Sequence, residues 1–481
     1  MATSQAQATR TEKDSLGTKE IPAAVYYGIQ TARALENFPI SGMRAHPTLI
    51  RAFGMVKRAA AEANQELGLV DERRADAIIR ASQEVTDGKW DDQFVVDVFQ
   101  AGAGVSFHMN TNEVIANRAT ELLGGKLGEY VVHPNDHVNY GQSTNDVFPT
   151  GMRLAALLEL EKLYPVLQAL AAQFERKGKE FWEVLKSGRT HMQDAVPMRL
   201  GQEFAAYGVA ILRCSASLRE NSKLLRELGL GGSAVGTGIN THPDYRGKAI
   251  GNLARISRQE LAPADDMRYA MQSNLCMAAV SGALRNLALE VIRISNDLRL
   301  LASGPNTGFY EIILPALQPG SSIMPGKVNP VMPELAAMVS FQVIGNDAAV
   351  ALAVQAGQLE LNVMMPTMSY SVTQSITIMT NMLQVFNQRC VAGITVNHDR
   401  CNLYAQSTVS LATALNPYIG YAKAAEIAKE SVATGKSIIE IARSRGLLKE
   451  EEIKQILDPA RMTEPQRPLD AAKHREEKVK K

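Results

Sequence analysis

The sequence predicts an all-α fold organised round a central bundle of long helices, and three observations carry that expectation. The first is periodicity: Val280, Leu284, Leu287, Val291, Ile294, Leu298 and Leu301 alternate at spacings of four and three, as along the seam of a long bundle helix. The second is repetition, because similar patterns run through about 147–185, 197–228, 333–357 and 367–393, making five extended helical segments. The third is the 333–357 segment, where Leu335, Ala336, Met338, Val339, Phe341, Val343, Ile344, Val350, Leu352 and Val354 wrap round the helix. A helix apolar on every side must be buried on every side, and five helices from one chain enclose too little interior for that. Other copies of the chain are expected to complete the bundle with closed symmetry.

At 481 residues the chain exceeds what one core usually organises. Residues 1–144 combine shorter helices, at about 47–67, 72–86 and 110–123, with loops such as Asn37–Ile40 and His133–Asp136, and read as an N-terminal, mostly helical domain. The long helices make a central domain over 145–399. Helices shorten again over 400–481, with Tyr421–Thr434 and Ser437–Gly446 as candidates and a charged tail, Lys473–Lys481, expected to be disordered. Extended sheet is not expected.

Several function classes fall away early. The formal charge of +1, with no basic segment interleaved with aromatics, argues against nucleic acid as a partner. Met1–Gly17 is polar with no apolar centre, unlike a secretory signal, and no stretch of about 18 uninterrupted apolar residues points to a membrane. Cys214, Cys276, Cys390 and Cys401 lack metal-ligand spacing; buried thiols in a reducing cytoplasm fit them best. Gly229–Ala234 satisfies a loose dinucleotide pattern, yet it follows an apparent helical run through Leu224, Leu225 and Leu228 where a strand is required. His133 and His137 are four apart, but Pro134 interrupts the helix that would align them on a metal.

Four segments remain. Gly320-Ser-Ser-Ile-Met-Pro-Gly-Lys-Val-Asn-Pro330 places two hydroxyls, an ammonium and an amide within nine residues, and its glycines and prolines demand a shaped loop before the next helix. Backbone N–H groups at such a helix start favour anions. Gly102–Asn110 is a glycine-opened loop entering a polar helix that carries Asn112, Glu113 and Asn117. Gly141–Asp146 precedes the first long helix, and Gly188–Asp194 lies between the first two. All four sit at ends of expected helices, where a bundle can gather them into one site.

Together these segments resemble the aspartase/fumarase superfamily, whose signature loop is similar to Gly320–Pro330 nearly letter for letter. The similarity extends from Tyr26–Thr31 to Ala414–Pro417. It implies a three-domain aspartase/fumarase-like fold whose bundle is completed in a homotetramer, with active sites shared by three subunits. Gly141–Asp146, Asn296–Gly304, Phe341–Asn346 and Gln374–Thr380 are similar to members that deaminate L-aspartate to fumarate and ammonia, whereas Gly236–Pro243 is similar to class II fumarate hydratases. A non-catalytic helical assembly is a further alternative, but it would need none of the polar groups in these loops.

The resemblance also implies roles. Ser321 corresponds to the general base, acting as an alkoxide. Ser143, Thr144 and Ser322 would donate to the carboxylate that becomes an enediolate. Lys327 and Asn329, helped by Thr190, would hold the other carboxylate, while Asn145 and His191 would contact the leaving amino group. Val105, Ser106 and Met324 complete the expected substrate pocket. Catalysis without a cofactor is expected, with a divalent cation only as an activator. Two positions depart from the family: His108 stands where relatives have asparagine, and Met365 where ammonia-lyases carry an acidic residue. His108 can be read as a surface or packing histidine, or as a substrate-side group that alters the leaving-group pocket.

Overall fold

The computed structural model describes residues 8–446, 448–467 and 469, so the tail Lys473–Lys481 lies outside the described residues. The long segments fold as helices Thr144–Glu180, Leu200–Ser222, Leu275–Leu301, Val331–Gln355 and Met365–Arg389. Every residue of the Val280–Leu301 seam is buried. The shorter helices are Pro47–Glu66, Glu72–Thr86 and Val105–Leu122, and near the C-terminus Tyr421–Thr434 and Ile438–Ser444. A capping box between Ser437 and Glu440 starts the last of these.

Two expected helices run too far. Residues 185–199 form an antiparallel hairpin, Leu185–Thr190 with Gln193–Arg199, whose register shifts between Ser187 and Arg189. Gly188 permits this close pairing, since a Cβ there would lie 2.8 Å from the Val196 carbonyl oxygen. Beyond Ser222 the chain tightens into a 3₁₀ turn, Lys223–Arg226, and then a two-residue strand, Glu227–Leu228, paired in parallel with Ala262–Pro263. A short strand, not a helix, therefore precedes the Gly229–Ala234 glycines. Sheets among the described residues are all two-stranded.

Compact packing divides the chain into two units, each assembled from separated stretches. One comprises the chain up to Val166 with Cys214–Leu289 and Met338–Asn381; the other comprises Leu167–Arg213, Glu290–Ala337 and the chain from Met382 onward. In the first unit, Phe53, Phe107 and Phe148 meet edge to face, Phe53 lying 4.8 Å from Phe107 and 5.5 Å from Phe148 between ring centroids. Gly104 and Gly151 make room for them. A Cβ at Gly104 would come within 2.2 Å of the Phe148 ring, and one at Gly151 within 2.3 Å of the Phe53 ring. In the second unit, Phe174, Phe181, Phe204 and Tyr207 form an aromatic core, and Leu411, Leu415, Ile427, Ile438, Ile441 and Ile453 form an aliphatic one.

The Val331–Gln355 helix is not buried all round within the chain. Met338, Phe341 and Leu352 are 54%, 59% and 64% exposed, and with Gly345 and Ala348 they follow the alternating three-four spacing of a helix seam.

Candidate active site

The Gly141–Asp146 segment is a helix start built from its own side chains. Ser143 Oγ accepts the Asn145 N–H at 3.2 Å, while Asp146 Oδ1 accepts the Ser143 N–H at 2.9 Å. Asp146 Oδ2 reaches further, accepting the N–H groups of Gly231 at 2.9 Å and Ser233 at 3.1 Å. Asn145 Nδ2 donates to the Ala234 carbonyl at 2.8 Å. The Gly229–Ala234 segment is thus a brace for this helix start, its amides spent on a carboxylate. Burial pushes the Asp146 carboxyl up to about 6, against the three backbone N–H groups that favour its ionised form.

Behind Thr144 lies a polar cluster centred on the buried Lys57 and His108, with Asn139 and Gln142 at its partly exposed edge. Thr144 Oγ1 is 2.7 Å from His108 Nδ1, and His108 Nε2 is 2.7 Å from Lys57 Nζ. Lys57 also donates to Asn139 Oδ1 at 2.9 Å and Gln142 Oε1 at 2.8 Å. Lys57 and Asp146 are wholly buried and His108 is 1% exposed. Burial draws the Lys57 ammonium pKa down, opposed by the charge of Asp146. Burial, and then the Lys57 charge, hold His108 neutral by pulling its pKa well below the usual value. The phenylalanine cluster sets this geometry: Phe53 is one helical turn before Lys57, Phe107 adjoins His108, and Phe148 is one turn after Thr144.

His108 is a buried histidine packed edge to face against Phe53 and hydrogen-bonded to Thr144, an expected substrate residue. Met365 is buried at the first position of the Met365–Arg389 helix. Val105 and Ser106 open the Val105–Leu122 helix, with Val105 40% exposed. Ser106 lines a cavity of about 440 Å³ with Arg33 and His133, and Ser143, Thr144 and Asn145 are not part of its lining. The His133 and His137 rings accept backbone N–H groups, from Asn135, Asp136 and His133 itself, and cap a π-type turn over Pro134–Val138.

Thr190 and His191 occupy the exposed tip of the second unit's hairpin, where His191 and Met192 turn the chain with φ of 56° and 60°. One residue before the tip, Arg189 donates to Glu311 Oε2 at 2.8 Å and stacks on the Phe309 ring, its guanidinium carbon 4.3 Å from the centroid. Glu311 is wholly buried and Lys186, paired with Glu203 at 2.8 Å, is also near it at 3.7 Å.

The Gly320–Pro330 loop closes on itself. The Gly320 N–H donates to the Lys327 carbonyl at 2.7 Å, and Asn329 Nδ2 donates to the Gly320 carbonyl at 2.7 Å. A Cβ on Gly320 would lie 2.7 Å from both Asn329 N and Lys327 O. Inside the turn, Ser321 Oγ accepts N–H groups from Ile323 at 3.2 Å and Met324 at 2.9 Å. Met324, Lys327 and Asn329 line an open cavity of about 1120 Å³ together with Asn296 and Arg299; Ser321 and Ser322 are not in its lining. Ser322, Met324 and Lys327 are exposed.

Sequence reasoning missed Lys57, Asp146 and Glu311 as parts of this machinery. Asp146 closes the singled-out Gly141–Asp146 segment, and Lys57 carried a signal of its own. It lies on the stripe of Phe53, Val56, Ala60, Ala61 and Asn64, the face of its helix that must be buried.

The family described as Lyase matches residues 17–345, and that described as Fumarase C C-terminus matches 411–464. An aspartate ammonia-lyase of Bacillus sp is 49% identical, over 95% of this chain and 98% of its own. A class II fumarate hydratase of Halobacterium salinarum is also 49% identical, over 94% and 97%. Among solved structures, a Brucella melitensis protein titled fumarate lyase:delta crystallin, bound to cobalt, matches with a TM-score of 0.92 at 49% identity, covering 95% of this chain and all of its own. A class II fumarase from Schistosoma mansoni matches with a TM-score of 0.93 at 36% identity, covering 96% of this chain and all of its own. With the signature loop, the long-helix bundle and these matches in agreement, the chain belongs to the aspartase/fumarase superfamily.

Proposed function

We propose that this protein is a carbon-nitrogen lyase that reversibly deaminates L-aspartate to fumarate and ammonia. Relatives named aspartate ammonia-lyase, 46–49% identical over nearly the whole chain, support that choice. The observation that carries the chemistry is Ser321 Oγ, which faces the N–H groups of Ile323 and Met324. Those dipoles favour an oxyanion, so they lower the cost of ionising a serine.

In the proposed reaction Ser321 takes a proton from the carbon beside the β-carboxylate. The electron pair moves into that carboxylate as an enediolate, which Ser143, Thr144 and Ser322 meet with hydrogen-bond donors. Collapse of the enediolate forms the double bond and expels the substrate's protonated amino group as neutral ammonia, attended by Asn145 and His191. Lys327, Asn329 and Thr190 clamp the other carboxylate, and Val105, Ser106 and Met324 bound the pocket. No step calls for a cofactor; a divalent cation enters only as an activator.

A homotetramer is part of the proposal, with sites shared by three subunits. The exposed stripe of Met338, Phe341 and Leu352 supports it, being an apolar seam that needs a partner helix. Leu275–Leu301 and Val331–Gln355 are long and apolar enough to cross a membrane, but the first carries Arg285, Glu290, Arg293, Asp297 and Arg299. The three-domain organisation, 1–144, 145–399 and 400–481, belongs with this proposal, as does a cytoplasmic setting, which the buried thiols of Cys276, Cys390 and Cys401 support.

The second reading is fumarate hydratase, favoured by the Halobacterium relative and by Gly236–Pro243. The protein is incubated with fumarate plus ammonia and, separately, with fumarate alone. Loss of fumarate absorbance with formation of aspartate, only when ammonia is present, is expected. Malate as the sole product overturns the ammonia-lyase assignment.

A further inference from the structure

Two amides around Lys57 have their orientation fixed by their other bonds. Asn139 Nδ2 donates to the Gln142 carbonyl at 3.1 Å, and Gln142 Nε2 donates to the carbonyls of Val138 at 3.1 Å and Tyr140 at 3.3 Å. Their oxygens must then face Lys57 Nζ, which donates to both. The third direction from the same nitrogen ends at His108 Nε2. Asn139 Oδ1 and Gln142 Oε1 are two fixed acceptors on this nitrogen, and an ammonium has a third proton for His108 Nε2. An amine would bring only two, and its lone pair would have to take a proton from His108 instead. The charged groups facing this interior are few. Asp146 on the Thr144–Glu180 helix supplies the opposite charge and is ionised above about 6, and Tyr245 on the Tyr245–Ser257 helix is buried and neutral.

The tautomer of His108 follows from its partner. If Lys57 donates to Nε2, the imidazole proton resides on Nδ1 and is donated to Thr144 Oγ1. His108 Nδ1 is the one hydrogen-bond partner of Thr144 Oγ1 among the described residues, and Thr144 is 9% exposed at the first residue of its helix. With its oxygen accepting from behind, the hydroxyl has its own proton left to give forward. With the opposite tautomer Thr144 would spend that proton on the imidazole and face the substrate as an acceptor, which a carboxylate repels.

We propose that His108 is a positioning residue: held by Lys57 as the Nδ1–H tautomer, it fixes the Thr144 hydroxyl as a donor to the substrate carboxylate. This rests on the lyase reading, in which Thr144 meets the carboxylate that gains charge in the enediolate. Its effect is then larger on turnover than on binding.

Two measurements on the full-length protein test it. The first is solid-state ¹⁵N NMR of protein labelled at histidine, with His108 assigned by difference from His108→Asn; a protonated Nδ1 and an unprotonated Nε2 are expected, and a protonated Nε2 overturns the relay. The second is a cycle of His108→Leu, Thr144→Val and the double variant, with thermal melting as the check on folding. His108→Leu is expected to lower kcat by about tenfold to a hundredfold, more than it changes KM, and to cost nothing further in the Thr144→Val background. Additive losses in folded variants overturn the proposal. His108→Asn is expected to restore most of the turnover that His108→Leu loses, because the asparagine amide nitrogen can take the place of Nδ1; equal loss in both overturns it. A wild-type protein that converts neither L-aspartate nor fumarate refutes the lyase reaction itself, whereas an Nε2–H tautomer in an active enzyme refutes only the relay.

Discussion

Arg189 donates to Glu311 across 122 residues of sequence, at 2.8 Å, and the carboxylate it meets is wholly buried. This bond ties the base of the Thr190–His191 tip to the segment that leads into the Gly320–Pro330 loop. Replacing Glu311 with Gln takes the counter-charge from the partly buried Arg189 and leaves the buried Lys186 with Glu203 alone. A loss of about 3–5 kcal/mol in stability is expected, the usual cost of breaking one side of a buried pair. Denaturant unfolding measures it, and a change below about 0.5 kcal/mol, the scale of an ordinary surface substitution, would show the pair to be unimportant.

Ser321→Ala is expected to fold, bind substrate and lose most turnover, with kcat down by about a hundredfold or more and KM little changed. Steady-state rates with L-aspartate provide the comparison. Near-normal kcat would exclude Ser321 as the base.

Lys327→Ala removes an ammonium proposed to hold a carboxylate. The expected effect is on KM, raised about tenfold to a hundredfold, since hydrogen bonds to charged groups contribute about 1.5–3 kcal/mol. An unchanged KM counts against the clamp.

Asp146 links stability to pH. Its pKa is raised from 3.8 to about 6 by burial, so the protonated form is the one favoured in the folded state. The contribution of such a group is fully present below its unfolded pKa and is lost as pH rises through about 6. Wild type is therefore expected to lose ground relative to Asp146→Asn between about pH 4 and 6, by about 3 kcal/mol in total for a shift of roughly two units. Urea midpoints across that range test the sign; a wild type that gains ground as pH rises reverses it.

Phe341→Asp introduces a charge into the exposed seam of the Val331–Gln355 helix, where Phe341 is 59% exposed. If the seam joins copies of the chain, the variant is expected to sediment as a smaller species with loss of activity. A fully active tetramer carrying Asp at this position would remove the seam from the interface.

Much of the fold was readable because helix burial is periodic. The seam from Val280 to Leu301 is buried at every predicted position, and Tyr421–Thr434 forms the helix expected there. The hairpin at Leu185–Arg199 was hidden because its strands continue the composition of flanking helices, and Gly188 matters only once Val196 lies opposite. Within the candidate site, the hydroxyls and Lys327 were legible as polar groups crowded into glycine-rich loops. The roles of Lys57 and Glu311 were not, because each depends on a partner far along the chain.

The sequence by itself determined the all-α class, the superfamily and the set of groups offered to a substrate, since periodicity and a dense local motif are properties of neighbouring residues. Only the tertiary structure decided which way those groups are primed. Thr144 and His108 are separated by 36 positions and His108 and Lys57 by 51, and no local pattern specifies that an ammonium, an imidazole and a hydroxyl will stand in line at 2.7 Å. That alignment follows from three helices locked by Phe53, Phe107 and Phe148, whose packing buries Lys57, His108 and Thr144 together.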